Sequence, residues 1–273
     1  MTCYADSSSM LKLSPVLTLV VAVNHEKVLQ DNLFGSPDIN EFFELIEKRG
    51  YPSASKAYNS GLAEANSEIV VLAHQDVYLP AGWLTSLEKS LAQLDGLDPN
   101  WGVLGVFGTA HSSDLVGHVY STGLGQTLGA SFDRPIECRT LDELLLVIRR
   151  SSGLRFDERL PGFHLYGTDI CMEAHKQGLK SYVIPAFCIH NSNGIGRLPG
   201  AFWKAYLCLR HKWWKQLPIS SPCTMITKGC SPMLRSLLQG TFNTFFSRNA
   251  VGKRSADPAG LLDVLQSKRD VEA

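Results

Sequence analysis

The sequence predicts an α/β domain with a mostly parallel central sheet and helices on both faces. Two short apolar runs, residues 16–23 and 68–73, have the composition of strands that are buried on both sides. Over roughly the first hundred residues, such strands alternate with segments whose apolar residues have helical spacing, as in parallel sheets joined by helices. The chain has 273 residues, 44% of them hydrophobic, so it can bury a large core.

Local patterns place the elements in the first part of the chain. Residues 1–14 are predicted to be a loose leader, and residues 41–49 fit either a helix or a short strand. The remaining elements are predicted in this order: a strand over 16–23, a helix from Ser53, a strand over 68–73, a helix from Pro80 to about Leu94, and a strand over 102–107.

The second part of the chain is predicted to be richer in helix. Thr140 and Glu143 have the spacing of a capping box ahead of an apolar run, which predicts a helix over about 140–148. The other predicted elements are a loop over 156–166, a helix from Gly167 or Thr168 to Gly178, strands over 181–184 and 187–190, and helices around Phe202–Arg210 and Met233–Phe246. We therefore divide the chain into the leader 1–14, a main domain 15–196 and a helical, basic extension 197–273.

The charges and the cysteines limit the partners and the cellular compartment that the sequence predicts. The formal net charge is zero, so overall charge gives no reason to expect nucleic-acid binding. Twelve basic residues and no acidic ones lie between Glu173 and Asp257, a run that suits phosphates, an anionic membrane or simply a solvated face. Seven scattered cysteines without a C-x-x-C pair indicate a reducing compartment, and residues 16–23 are too short to span a bilayer. We expect a cytoplasmic protein.

Polar residues follow the second predicted strand, where the sequence reads His74-Gln75-Asp76. In open α/β sheets, ligands bind outside the carboxyl ends of the strands. An aspartate at this position can hold a divalent cation that bridges two phosphates and stabilises a departing diphosphate. The alternative is that Asp76 only shapes the turn before Pro80.

Two further residues are candidates for chemistry. Asp169 lies in the first turn of a predicted helix, where the helix dipole favours the ionised form that a general base needs, although first-turn aspartates also simply stabilise helices. His190 ends a predicted strand and could complete a metal site with Asp76, or it could be an ordinary hydrogen-bonded histidine.

Three stretches occur together in an order and spacing that resemble the family 2 glycosyltransferases. These stretches are residues 54–65 running into 69–76, residues 77–84, and residues 156–169 followed by Gly178 and His190. The family has the nucleotide-diphospho-sugar transferase (GT-A) fold, and the branch of streptomycin-biosynthesis glycosyltransferase-like proteins is the most similar. The resemblance covers roughly residues 16–194 and implies a sugar transferase.

The resemblance also implies roles for individual residues. Asp76 would bind a Mn or Mg ion and the diphosphate, His190 would be a further metal ligand, and Asp169 would deprotonate the acceptor hydroxyl in an inverting displacement. The donor, a nucleotide-diphospho-sugar, would contact Asn59, His74, Gln75, Asp76 and Arg197. The acceptor, a saccharide or other hydroxyl compound, would contact His164, Tyr166 and Thr168. The basic extension would either pack on the core or make peripheral contact with a membrane.

Two departures from the family pattern leave alternatives open. His74 occupies the first position of the Asp-x-Asp motif. The second strand also lacks a clear acidic pair to bind the nucleotide base, unless Asp38, Glu44 or Glu47 supplies it. A non-catalytic nucleotide-sugar-binding protein is therefore one alternative. A sugar-phosphate nucleotidyltransferase is a weaker one, because residues 24–28 are not the Gly-rich basic loop that such an enzyme needs.

Overall fold

The computed structural model describes residues 16–194, 198–229, 231–235 and 252–265. The helices with defined bounds that extend beyond one turn are α1 (Glu26–Asp31), α2 (Ala54–Glu64), α3 (Trp83–Leu97), α4 (Tyr166–Lys176) and α5 (Gly200–Lys212). Residues 231–235 and 260–265 are also helical. Short 3₁₀ helices occur at Pro37–Glu41, Arg150–Ser152 and Trp214–Gln216. The predicted leader, Arg197 and most of the predicted helix Met233–Phe246 lie outside the described residues.

A seven-stranded sheet forms the centre of the described part of the chain. Its order is β2 (Glu44–Arg49), β1 (Leu17–Val23), β3 (Ile69–His74), β11 (Leu145–Arg149), β5 (Val103–Gly105), β12 (Ser181–Val183) and β9 (Ile136–Cys138). β2, β1, β3, β5 and β12 run in one direction, whereas β11 and β9 run in the other. The predicted α/β fold with a mostly parallel sheet is confirmed, and the ambiguous segment 41–49 contains strand β2.

The predicted helix over 140–148 is wrong, since this segment forms β10 (Thr140–Leu141) and β11. Leu145 to Ile148 are all completely buried, and they alternate between the two faces of the central sheet. A strand that is buried on both faces appears in sequence as an unbroken apolar run, which hydrophobic periodicity does not separate from a helix. The Glu143 carboxylate accepts from the backbone N–H of Leu165 at 3.0 Å, a residue from another part of the chain.

Apolar residues cover both faces of the central sheet. Along β1 and β3, alternate side chains enter two separate hydrophobic clusters. One cluster contains residues of α2, α4 and α5, and the other contains residues of α1 and α3. β1 and β3 are therefore buried between two helical layers.

A second sheet extends from the central one and carries part of the candidate site. Its order is β10, β6 (Phe107–Thr109), β7 (Leu115–Ser121), β13 (Cys188–His190) and β4 (Val77–Tyr78), with β8 (Gln126–Gly129) paired to β7. The predicted strand over 102–107 divides at Val106 between the two sheets. The antiparallel pair β4–β13 places His190 opposite Val77, next to Asp76.

Helix α5 packs on the core through its aromatic residues. Phe202 and Tyr206 are each 1% exposed and belong to the same cluster as residues of α2 and α4. The hairpin β14 (Ile219–Ser220) and β15 (Met225–Ile226) joins this cluster as well. In the described residues, no helix has the length and apolar character needed to cross a membrane.

Gly61 allows α2 to lie against β1. A Cβ atom at this position would overlap Cγ1 of the buried Val20. Gly96, near the end of α3, faces open space instead.

We expect Gly61→Ala to lower the free energy of unfolding by about 1–3 kcal/mol through overpacking. Gly96→Ala, the control, should raise it by up to about 1 kcal/mol because alanine loses less backbone entropy. Urea unfolding measures both, and equal effects would contradict the close packing.

Candidate metal and nucleotide site

A cleft of about 630 Å³ opens at the carboxyl ends of β1, β2 and β3. The wall of the cleft is formed by the end of each strand and the residues that follow it, namely 22–24 at β1, 48–51 at β2 and 74–76 at β3. Phe163 lines the cleft from the loop before α4. The cleft lies where open α/β sheets bind their ligands, as the sequence predicts for Asp76.

Three side chains at this cleft could hold a metal ion. In the described part of the chain, ligand atoms of His74, Asp76 and His190 lie within 4.8 Å of one another. Asp76 Oδ1 is 3.6 Å from His190 Nε2 and 3.9 Å from His74 Nδ1. Ligand atoms that share one ion at about 2.0–2.2 Å each have comparable separations. Two imidazoles with one carboxylate suit a divalent first-row transition metal better than Mg²⁺, which prefers oxygen ligands.

Hydrogen bonds fix the tautomer of His74. The Tyr166 hydroxyl donates to the backbone carbonyl of Glu143 at 2.9 Å, and it lies 2.8 Å from His74 Nε2. With the hydroxyl proton directed to the Glu143 carbonyl, His74 Nε2 acts as the donor in the second contact. The unprotonated Nδ1 of His74 therefore faces Asp76, in the form that binds a metal.

The electrostatics of the group keep Asp76 ionised. Burial opposes its ionisation, but the His190 hydrogen bond and the nearby positive charges outweigh burial and hold the pKa of Asp76 below its usual range. Burial lowers the pKa of His74, so this imidazole is neutral at neutral pH. The pKa of His190 is raised, because its hydrogen bond and charge interaction with Asp76 exceed the opposing effect of burial. A cation that binds here would displace the proton of His190.

Asp169 does not line the cleft with Asp76, which corrects its predicted placement. Its side chain is 1% exposed, and its carboxylate accepts from Lys212 Nζ at 2.8 Å and Trp213 Nε1 at 2.7 Å. Lys212 also contacts Asp157 at 3.1 Å and Glu173 at 2.9 Å. Burial raises the pKa of Asp169 despite these partners. The carboxylate joins α4 to α5 and has no oxygen open to an acceptor in this conformation.

The predicted acceptor residues are also placed differently. Tyr166 and Thr168 are 1% and 0% exposed, so burial separates both from a bound acceptor. His164 packs edge-on against Phe202 with ring centroids 5.7 Å apart, and it does not line the cleft. Its neighbour Phe163 does. The segment 156–169 therefore reaches the cleft through Phe163 and not through the three residues predicted to contact the acceptor.

The residues predicted on the donor side divide into two groups. His74, Gln75 and Asp76 line the cleft, and Gln75 Oε1 accepts from the backbone N–H groups of Asn24 and His25 at 3.1 and 3.0 Å. Asn59 does not line this cleft; its amide group exchanges two hydrogen bonds of 2.9 Å with the backbone of Phe156. Asn59 therefore anchors the loop that leads towards α4.

Arg254 contacts the candidate metal group and was not singled out by the sequence. Its guanidinium donates to Asp76 Oδ2 at 3.2 Å, across 178 positions of the chain. The only signal in the sequence is membership of the long basic run. No local pattern distinguishes Arg254 from the other members of that run.

The chain is similar in structure to proteins that were solved with sugar nucleotides or nucleotides and Mn²⁺. The crystal structure of GalNAc-T7 with UDP, GalNAc and Mn²⁺ aligns at a TM-score of 0.50 and 9% identity, covering 74% of this chain and 49% of that protein. The mannosyltransferase PcManGT from Pyrobaculum calidifontis, in complex with GDP-Man and Mn²⁺, aligns at a TM-score of 0.44 and 13% identity, covering 95% and 81%. The fold is GT-A.

Sequence comparison gives the family. A protein of Fuscovulum blasticum described as "ATP synthase subunits region ORF 6" is 26% identical over 174 residues, which are 59% of this chain and 66% of that protein. The chain thus spans just under two thirds of this relative. The model of the glycosyltransferase-like family matches residues 19–196, more than half of the chain and all three members of the candidate metal group. This chain therefore belongs to the glycosyltransferase-like family.

Proposed function

We propose that this protein is a metal-dependent, inverting glycosyltransferase that moves a sugar from a nucleotide-diphosphate donor to an acceptor hydroxyl. The observation that carries the proposal is the convergence of His74, Asp76 and His190 at a cleft in a GT-A fold. We further propose that the chain belongs to the streptomycin-biosynthesis-like branch of family 2, because residues 54–76, 77–84 and 156–169 resemble that branch. Mn²⁺ is the proposed ion, because the structurally similar GalNAc-T7 was solved with Mn²⁺ and because two imidazole ligands disfavour Mg²⁺.

In this proposal each residue of the group has a defined task. A divalent ion bound by the three side chains would supply Lewis-acid stabilisation of the departing diphosphate. Asp76 provides the negative charge that holds the ion, and Tyr166 orients His74 through the hydrogen bond to Nε2. The nucleoside would occupy the cleft along the ends of β1 and β2, where Tyr51 and Phe163 offer aromatic surface.

An inverting displacement also needs a base with an accessible oxygen. Asp169 is enclosed by Lys212 and Trp213, and burial together with the charge of Asp142 raises the pKa of Glu143 to about 8, so Glu143 is mostly protonated at neutral pH. Asp142 is half-buried, and its Oδ1 accepts from the Leu144 N–H at 3.0 Å. The Leu144 carbonyl in turn accepts from the His74 N–H at 2.9 Å, so Asp142 lies near the candidate metal group. We therefore propose Asp142 as the base, in place of the Asp169 that the sequence suggests.

The metal role of Asp76 is tested by Asp76→Ala. We expect Mn²⁺ affinity, measured by calorimetry, to fall by at least about 100-fold, since removal of a supporting residue alone costs 10–100-fold. Asp31→Ala is the matched control, because Asp31 is a surface carboxylate paired with Lys27. The wild type should slowly release nucleoside diphosphate from at least one of a panel of UDP-, GDP- and dTDP-sugars, and Asp76→Ala should not. Donor binding without any such release in the wild type would instead indicate a non-catalytic sugar-nucleotide-binding protein.

The choice of base is tested by comparing Asp142→Asn with Asp169→Asn. Asp142→Asn should lower turnover by about 10²–10⁴ and leave the free energy of unfolding nearly unchanged. Asp169→Asn should instead destabilise the protein by about 1–3 kcal/mol, because Lys212 and Trp213 lose a buried ionic partner. Its turnover, measured well below the melting temperature, should stay close to that of the wild type. The reverse pattern would restore Asp169 as the base.

A further inference from the structure

The segment 252–257 is built into the candidate site. Asn191, next to the candidate ligand His190, holds Ser255 by two hydrogen bonds, from the Ser255 N–H to Oδ1 at 2.7 Å and from Nδ2 to the Ser255 carbonyl at 2.9 Å. The Gly194 N–H donates to the Gly252 carbonyl at 2.8 Å. A Cβ atom at Gly252 would overlap the carbonyl oxygen of Thr122, so only glycine allows this approach. The segment is therefore fixed beside β13.

These contacts hold the Arg254 side chain in one place. The Arg254 backbone N–H donates to Asn193 Oδ1 at 3.0 Å, and its Nε donates to the Asn191 carbonyl at 2.7 Å. The terminal nitrogen then reaches Asp76 Oδ2 at 3.2 Å. The side chain is 28% exposed, so part of it remains accessible from the solvent.

The two oxygens of Asp76 have different neighbours. Oδ1 is the oxygen nearest to both imidazoles, whereas Oδ2 accepts from Arg254. A cation held by the imidazoles and Oδ1 would thus lie beside the guanidinium on the same carboxylate, and the two need not compete for one oxygen. A guanidinium has five N–H donors, so it can hold Asp76 and Asn191 and still donate to phosphate oxygens.

We propose that Arg254 is a diphosphate-binding residue, which the segment 252–257 supplies to the donor site beside the metal group. This inference rests on the proposed function. Arginine binds phosphate through parallel, charge-assisted hydrogen bonds, which are stronger than neutral ones. The resemblance implies a donor contact for Arg197, whereas the contact with Asp76 points to Arg254 as the arginine at the diphosphate.

The test compares Arg254→Met, Arg254→Lys and the control Lys253→Met in the full chain. Lys253 is the exposed neighbour on the same segment. UDP, GDP, CDP and dTDP are titrated in the presence of Mn²⁺ by calorimetry. We expect Arg254→Met to weaken binding of the preferred diphosphate by about 10- to 100-fold, the range of a lost charge-assisted contact. Arg254→Lys should recover part of the loss, because it keeps the charge without the planar fork, and Lys253→Met should bind normally.

Each outcome is decisive. Urea unfolding of the variants separates loss of fold from loss of binding, and Arg254→Lys, which keeps the charge opposite Asp76, is compared with wild type if Arg254→Met proves unstable. Unchanged or tighter diphosphate binding by folded Arg254 variants would overturn the inference and leave the proposed function intact. Failure of the wild type to bind any of the four diphosphates with Mn²⁺ would overturn the proposed function and the inference together.

Discussion

The pairing of β4 with β13 is the constraint on which the candidate site depends. Only two residues separate β3 of the central sheet from β4 of the second sheet, and Asp76 is one of them. The Asn191 N–H donates to the Asp76 carbonyl at 2.8 Å, which continues the β4–β13 ladder to the residue itself. One short crossing between sheets therefore brings together His74 from the first sheet, His190 from the second, and the carboxylate between them.

A second set of contacts connects the hydrophobic core to the same group. Helix α4 begins at Tyr166, whose hydroxyl orients His74, and three residues later it carries Asp169. Asp169 binds Lys212 at the end of α5, so this buried ion pair fixes the position of α4 relative to α5. A buried carboxylate that is paired in this way is stabilising only as part of an intact pair. The same aspartate thus stabilises the packing of the helix that carries Tyr166, without facing the cleft.

The strands and helices that depend on local sequence pattern were predicted correctly, whereas features that depend on contacts between distant residues were not. β1, β3 and α2 were predicted because a strand between two layers and an amphipathic helix leave clear local signals. Asp76 was predicted to lie at a ligand-binding cleft, because ligands of open α/β sheets bind outside the carboxyl ends of the strands. The segment 145–149 was misassigned because its apolar run fits two structures, and only pairing with β3 and β5 selects the strand.

Side-chain roles were harder to predict than elements for the same reason. First-turn placement made Asp169 look available, yet Lys212, 43 positions later, neutralises it. Arg254 reaches Asp76 only through the tertiary contacts of Asn191 and Asn193. No spacing along the chain encodes such contacts, since they form only when β13 and the 252–257 segment lie side by side.

The uneven distribution of charge along the sequence has a structural explanation. The acid-free stretch between Glu173 and Asp257 includes Lys180, Lys212 and Arg254, and each of them pairs with a carboxylate that precedes the stretch. Lys212 contacts three carboxylates and Arg254 contacts the candidate metal ligand. Both lie at partly buried positions, where charge pairing is stronger than at the surface. Part of the basic run therefore neutralises acids from the first two thirds of the chain. A membrane-contacting surface has to be sought among the remaining basic residues.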